Sequence, residues 1–327
     1  MKGTIKKILA SVLGSAMVLG ATVVPTTVAN AATNKVVFAP VNFNGKGGNQ
    51  IDDDIGTLFG FSIDEDKPAA WSSDYKISYT MYIPANLVKK ATDYNKAIYL
   101  DGCIYLTDQA NEDNRASLGL PYLDIVYLDG EAKITGTTDQ GDTKDVSDIA
   151  TIEKAGDYYK VTVKDLPSYT ETYEDDGNGK AVDTSVTGSE DIIIQLDTYN
   201  LKADSFAAID DVSLKKNGAE VFSDNYDMNN NSTRIYAPSL KHSKTISSEK
   251  FSGSIVTVKS STSVKKGKKT SLKAAVPSAA GKVTYKTSNK KIATVTSKGI
   301  VKGVKKGKAA ITVSAAGVSK KVNVTVK

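Results

Sequence analysis

Four runs of this sequence alternate between apolar and polar side chains, the pattern of a β-strand with one buried face. In the clearest run, Lys76 to Pro84, apolar residues fill every second position from Ile77 to Ile83. Turn-rich, acidic segments separate the runs, without a convincing helical period between them. We therefore predict an antiparallel β-sandwich. The other three runs are Ala97–Thr107, Leu123–Leu128 and Tyr158–Val163.

The stretch from Asp191 to Lys216 predicts two further strands joined by a polar turn. On the second of these, Asp210 falls in line with the apolar residues Ala208, Val212 and Leu214 on the face turned to the core. A buried carboxylate without a partner is costly, so Asp210 needs one, and a bound cation is the simplest. An ordinary strand with two exposed acids is the alternative.

Aromatic and polar side chains share the outward positions of these strands. Sugar rings have apolar C–H faces that stack on exposed aromatic rings, while amides and carboxylates bind the hydroxyl groups. We therefore predict a carbohydrate-binding surface, which Trp71 caps from a neighbouring loop. The alternative is that the tyrosines are ordinary sheet residues and Trp71 belongs to the core. The predicted surface residues on strands are Tyr82, Tyr99, Asp101, Tyr105, Gln195, Asp197 and Tyr199.

Residues 1–31 have the layout of a secretory signal peptide. Three lysines precede an apolar stretch, and Ala29-Asn30-Ala31 forms the cleavage site. An N-terminal membrane anchor is the alternative. No other apolar run is long enough to span a bilayer, so we predict no transmembrane segment in the mature chain. The single cysteine, Cys103, cannot form an internal disulfide, which leaves hydrophobic cores or metal ions to stabilise the fold.

Charge divides the chain into two parts. From Ser252 to Lys327 there are eighteen lysines and no acidic residue. Without these eighteen and the three lysines of the signal peptide, 21 of the 42 basic residues remain, against all 37 acidic ones. Residues 32–251 thus carry about −16 and residues 252–327 about +18. A basic segment of this kind attracts anionic polymers such as those of cell walls, in a salt-dependent way.

The N-terminal part resembles the jelly-roll carbohydrate-binding modules. Its closing strand reads Ile209-Asp210-Asp211-Val212, and an earlier strand ends in Tyr82-Ile83-Pro84. The resemblance implies a jelly roll over residues 32–228 and a polysaccharide ligand such as a β-mannan or another hemicellulose. It also implies a structural Ca²⁺ ion held by Asp210, with Asn44 in the place of an acid of the family.

The C-terminal part resembles the group 2 bacterial immunoglobulin-like domain. The matching segments are Val283–Asn289, Ile292–Val295, Gly299–Val304 and Gly307–Val313. This resemblance covers residues 254–327 and implies a small β-sandwich that acts as a spacer or stalk at bacterial surfaces. Residues 229–253 are then a linker.

Together these features predict an all-β protein, a jelly roll followed by an Ig-like sandwich. We interpret it as a secreted or cell-surface, non-catalytic carbohydrate-binding protein, associated with a Gram-positive-type envelope through its basic domain. The basic segment lacks a recognisable nucleic-acid-binding motif, so no nucleic-acid partner is expected. Two alternatives remain: a surface adhesin or structural protein with a protein partner, and a glycan-active enzyme.

Overall fold

The computed structural model describes residues 35–40, 57–64, 75–108, 111–137, 143–170, 191–199, 205–226, 234–235, 244–245 and 248–327. All four alternating runs form strands there, which confirms these predictions. The helical elements of these ranges are short: α1 (Ala85–Val88) and the 3₁₀ turns Tyr94–Lys96 and Ser278–Ala280. No helix in the described ranges is long and apolar enough to cross a membrane.

Two sheets form the N-terminal sandwich. The first contains β1 (Lys35–Pro40), β3 (Tyr75–Pro84), β9 (Ala150–Ala155), β10 (Tyr158–Pro167), β13 (Phe206–Lys216), β14 (Ala219–Asp224) and β17 (Glu249–Lys250). The second contains β2 (Thr57–Asp64), β4 (Ile98–Asp108), β5 (Asn111–Gly119), β6 (Tyr122–Leu128), β7 (Glu131–Thr137), β8 (Thr143–Lys144), β11 (Tyr169–Thr170), β12 (Asp191–Tyr199), β15 (Arg234–Ile235) and β16 (Lys244–Thr245).

The strand order of these sheets is that of a jelly roll. Strands β1, β13, β3 and β10 are neighbours in the first sheet, and β2, β12, β4 and β6 are neighbours in the second. The chain therefore crosses between the sheets repeatedly, and its last long strands insert beside its first ones. All of these pairings are antiparallel. The predicted all-β sandwich is confirmed.

One continuous apolar core lies between the two sheets. Ile77, Tyr79, Met81 and Ile83 of β3 are all buried in it, as their alternation predicted. The second sheet contributes Leu100 and its neighbours on β4 and β6. Burial raises the pKa of the Tyr79 hydroxyl well above its ordinary value, and the negative charge of Asp101 adds to this effect.

Strand β3 has a β-bulge in the neighbouring strand on each side, and both bulges lie beside the same part of β3. On β13 the register with β3 shifts between Asp210 and Ser213, and on β10 it shifts between Val163 and Leu166. Each bulge contains an aspartate in the left-handed region, Asp211 on β13 and Asp165 on β10. Aspartate tolerates this conformation better than most residues do, because its short polar side chain can hydrogen-bond locally.

The bulge on β13 changes which residues face the core. Ala207 and Ile209 face it before the bulge, and Val212 and Leu214 face it afterwards. The extra residue thus moves the core face from odd to even positions. The predicted common face of Ala208, Asp210, Val212 and Leu214 is therefore wrong, because strict alternation does not hold across a bulge.

The C-terminal residues form a second, smaller sandwich. One sheet contains β18 (Ser261–Val264), β20 (Thr284–Thr287), β23 (Gly307–Ala315) and β24 (Val318–Val326), with β18 and β24 parallel. The facing sheet contains β19 (Lys269–Ser271), β21 (Ala293–Val295) and β22 (Ile300–Gly303). Val313 and Val324 of the first sheet and Val301 of the second lie in one buried apolar cluster.

An aromatic cluster joins the two sandwiches, which belong to one compact unit, Thr33–Lys327. The ring centroid of Phe251 lies 4.1 Å from that of Tyr82 and 5.2 Å from that of Tyr158. Phe206 and Val36 are buried in the same cluster, on the outer face of the first sheet. This face is therefore covered by the C-terminal part of the chain.

Hydrogen bonds fix the same junction. The backbone N–H of Asp157 donates to the carbonyl oxygen of Gly253 at 2.8 Å, and Ile255 N–H donates to the Asp157 carboxylate at 3.0 Å. At the edge of the junction the Asn86 amide donates to the carbonyl oxygen of Ala316 at 3.0 Å. The predicted linker, residues 229–253, also contributes three two-residue strands, β15–β17, which extend both sheets of the jelly roll.

Candidate functional site

The outer face of the second sheet carries several of the predicted binding residues. On β4, Leu100 and Ile104 point into the sandwich core, which places Tyr99 and Asp101 on the opposite face. Both of these side chains are partly exposed. The Tyr99 hydroxyl donates to the carbonyl oxygen of Tyr94 at 2.9 Å, and the Asp101 carboxylate accepts from Gly102 N–H at 2.6 Å.

The register of β12 on β4 brings the other predicted positions alongside. Tyr199 lies directly opposite Tyr99, and Asp197 lies directly opposite Asp101. The register between β4 and β12 continues without a shift as far as Tyr105 on β4. The predicted positions on these two strands therefore lie on the same face of the sheet. The structure describes only the backbone at Tyr105, Gln195, Asp197 and Tyr199, which fixes their place in the sheet.

Sequence reasoning missed three residues beside this face. Asp124 of β6 lies opposite Tyr99 and is buried, and Tyr122 of the same strand is 38% exposed. Tyr94, whose carbonyl oxygen binds Tyr99, is 48% exposed. The predicted strand began at Leu123, one residue too late to include Tyr122. Alternation from Leu123 does place Asp124 on the outer face, so the sequence contained the information needed to predict its position.

We call the surface formed by Tyr94, Tyr99, Asp101, Tyr122 and Asp124 the tyrosine face. The tyrosine face combines exposed and partly exposed rings with the partly exposed carboxylate of Asp101. Donors such as sugar hydroxyls bind well to carboxylate oxygens. The arrangement is therefore suited to a ligand with apolar faces and many hydroxyl groups.

Tyr82 does not belong to this surface, and the prediction of an exposed ring there is wrong. Its side chain is only 6% exposed and packs on Phe251 and Tyr158 at the junction. The alternation of β3 did place Tyr82 on the outer face of its sheet. That face, however, is covered by the chain that follows the jelly roll. Trp71 and Asn44 lie outside the described residues.

Asp210 is buried, although the common face predicted for it does not exist, and strand β14, which pairs with β13, carries a second buried acid, Asp224. Asp210 accepts a hydrogen bond from Asp211 N–H at 2.9 Å, and Asp224 accepts one from Tyr226 N–H at 2.8 Å. Burial raises the pKa of the Tyr226 hydroxyl well above its ordinary value, and the charges of Asp224 and Asp210 raise it further. Asp224 lies opposite Val212, two residues after Asp210, which places the two acids in one part of the sheet. Within the described ranges, no group of three or more His, Cys, Asp or Glu side chains is placed to hold a metal ion.

An open groove of about 440 Å³ lies beside the bulge of β10. Lys215 crosses it to pair with Asp165 at 2.9 Å, and this hydrogen bond lowers the pKa of the Asp165 carboxyl. The aromatic residue in its wall, Tyr75, is 1% exposed. The groove thus contains an ion pair and has no accessible aromatic ring in its wall, unlike the tyrosine face.

Comparisons with solved structures find low similarity to a surface-layer protein. The crystal structure of the S-layer protein rSbsC(31-844) is 13% identical, with 83% of this chain and 53% of that chain covered and a TM-score of 0.18. The structure of surface layer protein SbsC, domains 1–6, is also 13% identical, with 79% and 54% covered and a TM-score of 0.20. This chain spans about half the length of either structure. At such TM-scores the likeness says nothing about the fold.

Comparison with curated protein sequences gives no match. Residues 253–326, by contrast, match the bacterial Ig-like domain (group 2) family. This range agrees with the small sandwich built from β18 to β24. The C-terminal sandwich is therefore a bacterial Ig-like domain of group 2.

Proposed function

We propose that this chain is a secreted or cell-surface protein that binds a polysaccharide through the tyrosine face without catalysing a reaction on it. The observation that carries the proposal is that Tyr99, Asp101 and Tyr122 share the outer face of one sheet, with the exposed Tyr94 in the turn beside Tyr99. A β-mannan or another hemicellulose is the ligand class that the resemblance to carbohydrate-binding modules implies. The Ig-like domain supports a location at the cell surface, because domains of this family commonly act there as spacers.

The shape of the site favours binding over hydrolysis. A glycosidase places two carboxyl groups on either side of the bond that it breaks. Asp101 and Asp124 instead belong to neighbouring strands of a single sheet, β4 and β6. An outer sheet face with several rings is suited to bind an extended glycan chain along its length.

Binding should depend strongly on the ring of Tyr122. We expect Tyr122→Ala to weaken binding about tenfold, because stacking of a partly exposed ring contributes about 1–2 kcal/mol. Tyr122→Phe, which keeps the ring, should retain most of the affinity. Affinity electrophoresis of the full chain against a panel of neutral polysaccharides measures both variants. If no polysaccharide on the panel retards the unmodified protein, the proposal fails.

A surface adhesin or structural protein is the second candidate. The observation that favours it is the junction, where the aromatic cluster and the hydrogen bonds of Asp157 hold the Ig-like domain against the jelly roll. Two sandwiches joined in this way are suited to act as a stiff spacer. Retention on a protein from the surface of another cell, with no retention on glycans, would support this candidate.

We propose further that Asp210 and Asp224 take part in a structural Ca²⁺ site. Buried carboxylate oxygens are the ligands that this hard cation prefers. Further ligands would come from residues outside the described ranges, with Asn44 as the candidate that the family resemblance indicates.

Calcium should then stabilise the fold. At about a hundred times its dissociation constant, a bound ion adds about 2.7 kcal/mol to the free energy of unfolding, which raises Tm by several degrees. We expect Asp210→Asn to abolish this increase. Asp211→Asn is the matched control, since Asp211 is exposed and asparagine tolerates its positive φ of 51°. Equal melting temperatures in calcium and in chelator would overturn the calcium proposal.

A further inference from the structure

The end of the Ig-like domain that lies away from the jelly roll is built from three turns. The hairpin of β23 and β24 places its turn, Ala316-Gly317, against Asn86 of the jelly roll. Gly307 pairs with Val326 at the opposite end of the same hairpin. Because the two strands are nine residues long, these ends are about 30 Å apart.

Backbone hydrogen bonds hold the three turns together. Gly267 N–H donates to the carbonyl oxygen of Gly303 at 2.8 Å, and Gly303 N–H donates to that of Lys268 at 3.1 Å. Lys305 N–H donates to the carbonyl oxygen of Ile292 at 3.2 Å. The segments 265–268, 290–291 and 304–306 therefore meet at one end of the domain, and we call this end the lysine tip.

The lysine tip concentrates exposed positive charge. Its three segments contain seven lysines, all exposed: Lys265, Lys266, Lys268, Lys290, Lys291, Lys305 and Lys306. Directly beside it, Lys269 and Lys302 lie opposite each other on β19 and β22, where like charges repel. No acidic residue occurs between Ser252 and Lys327 to offset these charges locally.

The opposite end of the domain differs in this respect. There Lys320 pairs with Asp157 of the jelly roll at 3.4 Å. The junction thus offers an acidic partner, while the tip faces away from the acidic jelly roll. Acidic side chains of the domain cannot neutralise the tip, so ions or another molecule must supply most of the opposing charge.

We propose that the lysine tip binds a linear phosphodiester polymer of the cell wall, of the poly(glycerol phosphate) type. Lysine ammonium groups act as point charges, which suits separate phosphates on a flexible chain. The region from Ser252 to Lys327 has no arginine, and its single aromatic residue, Tyr285, contacts Gly299 away from the tip. It therefore lacks the stacking rings and planar guanidinium groups with which proteins bind single-stranded nucleic acid. The choice of a wall polymer rests on the proposed extracellular location.

Two variants of the full chain with equal net charge test the proposal. The tip variant replaces Lys266, Lys268, Lys291 and Lys305 with glutamine. The control variant replaces four exposed lysines elsewhere on the domain with glutamine: Lys259, Lys282, Lys298 and Lys321. The probe is poly(glycerol phosphate), with its dissociation constant measured between 50 and 200 mM salt and single-stranded DNA of similar charge as the comparison.

The tip variant should bind poly(glycerol phosphate) at least about tenfold more weakly than the unmodified chain, with a salt slope reduced by about three. The control variant should stay within about threefold. Equal weakening of both variants would show attraction by net charge alone and overturn the site. Tighter binding of DNA than of poly(glycerol phosphate) would overturn the choice of partner. Neutral glycan binding by the jelly roll is measured separately, so failure of either proposal is distinguishable from failure of the other.

Discussion

Gly156→Ala is expected to lower the free energy of unfolding by about 3–4 kcal/mol. Gly156 begins the turn between β9 and β10 with φ +66°, and alanine in this conformation costs about 1 kcal/mol. A methyl group would also overlap the carbonyl oxygen of Gly253 across the junction. Relief of that overlap separates the two backbones and breaks the bond from Asp157 N–H, a further loss of about 2–3 kcal/mol. Urea unfolding followed by circular dichroism measures the change.

Gly130→Ala is the matched control for this prediction. Gly130 lies in the turn between β6 and β7 with φ +87°, and a methyl group there would meet no atom within 4 Å. This variant should lose only the conformational cost, about 1 kcal/mol. Equal losses at Gly130 and Gly156 would contradict the close approach at the junction.

Phe251→Ala should uncouple the jelly roll from the Ig-like domain. The half-buried Phe251 ring contacts Tyr82 and Tyr158, and its removal is expected to cost about 2–3 kcal/mol, less than for a fully buried ring. Because the lost stabilisation comes from the contact between the two sandwiches, thermal unfolding should separate into two transitions, one for each sandwich. Differential scanning calorimetry distinguishes this result from a uniform decrease in Tm.

Phe222→Ala provides the comparison for Phe251→Ala. Phe222 lies on β14, is also half-buried, and packs against the core between the two jelly-roll sheets. Its loss should destabilise the jelly roll while the junction stays intact, so the pattern of transitions should resemble that of the unmodified chain. Two separated transitions in both variants would show that Phe251 has no special role in coupling.

Much of the strand layout could be predicted from alternation alone. The run from Lys76 to Pro84 forms β3, and the predicted core residues Ile77, Tyr79, Met81 and Ile83 are all buried. The period of two is a local property of a strand, so one sequence is enough to detect it. The C-terminal segments that resemble the Ig-like family also form the strands of a sandwich.

Features that depend on distant contacts could not be predicted in this way. Tyr82 is on the outer face of its sheet, but its burial depends on Phe251, more than 160 residues later in the chain. Similarly, the bulge at Asp211 moves the core face by one position, and alternation has no signal for an inserted residue. The candidate site was predicted in part: the positions on β4 and β12 come together in the sheet, while Tyr94 lies in a turn that has no alternation.

If the proposed function holds, the aromatic junction also limits how many glycan chains one molecule binds. A two-sheet body has two broad outer surfaces, and each could in principle serve as a ligand platform. In this protein the surface with Tyr82, Tyr158 and Phe206 is occupied by the Ig-like domain and Phe251. Among the described residues, the surface with Tyr99 and Tyr122 is the broad one left uncovered, so under the proposed function a single copy would be monovalent and would not cross-link two polysaccharide strands.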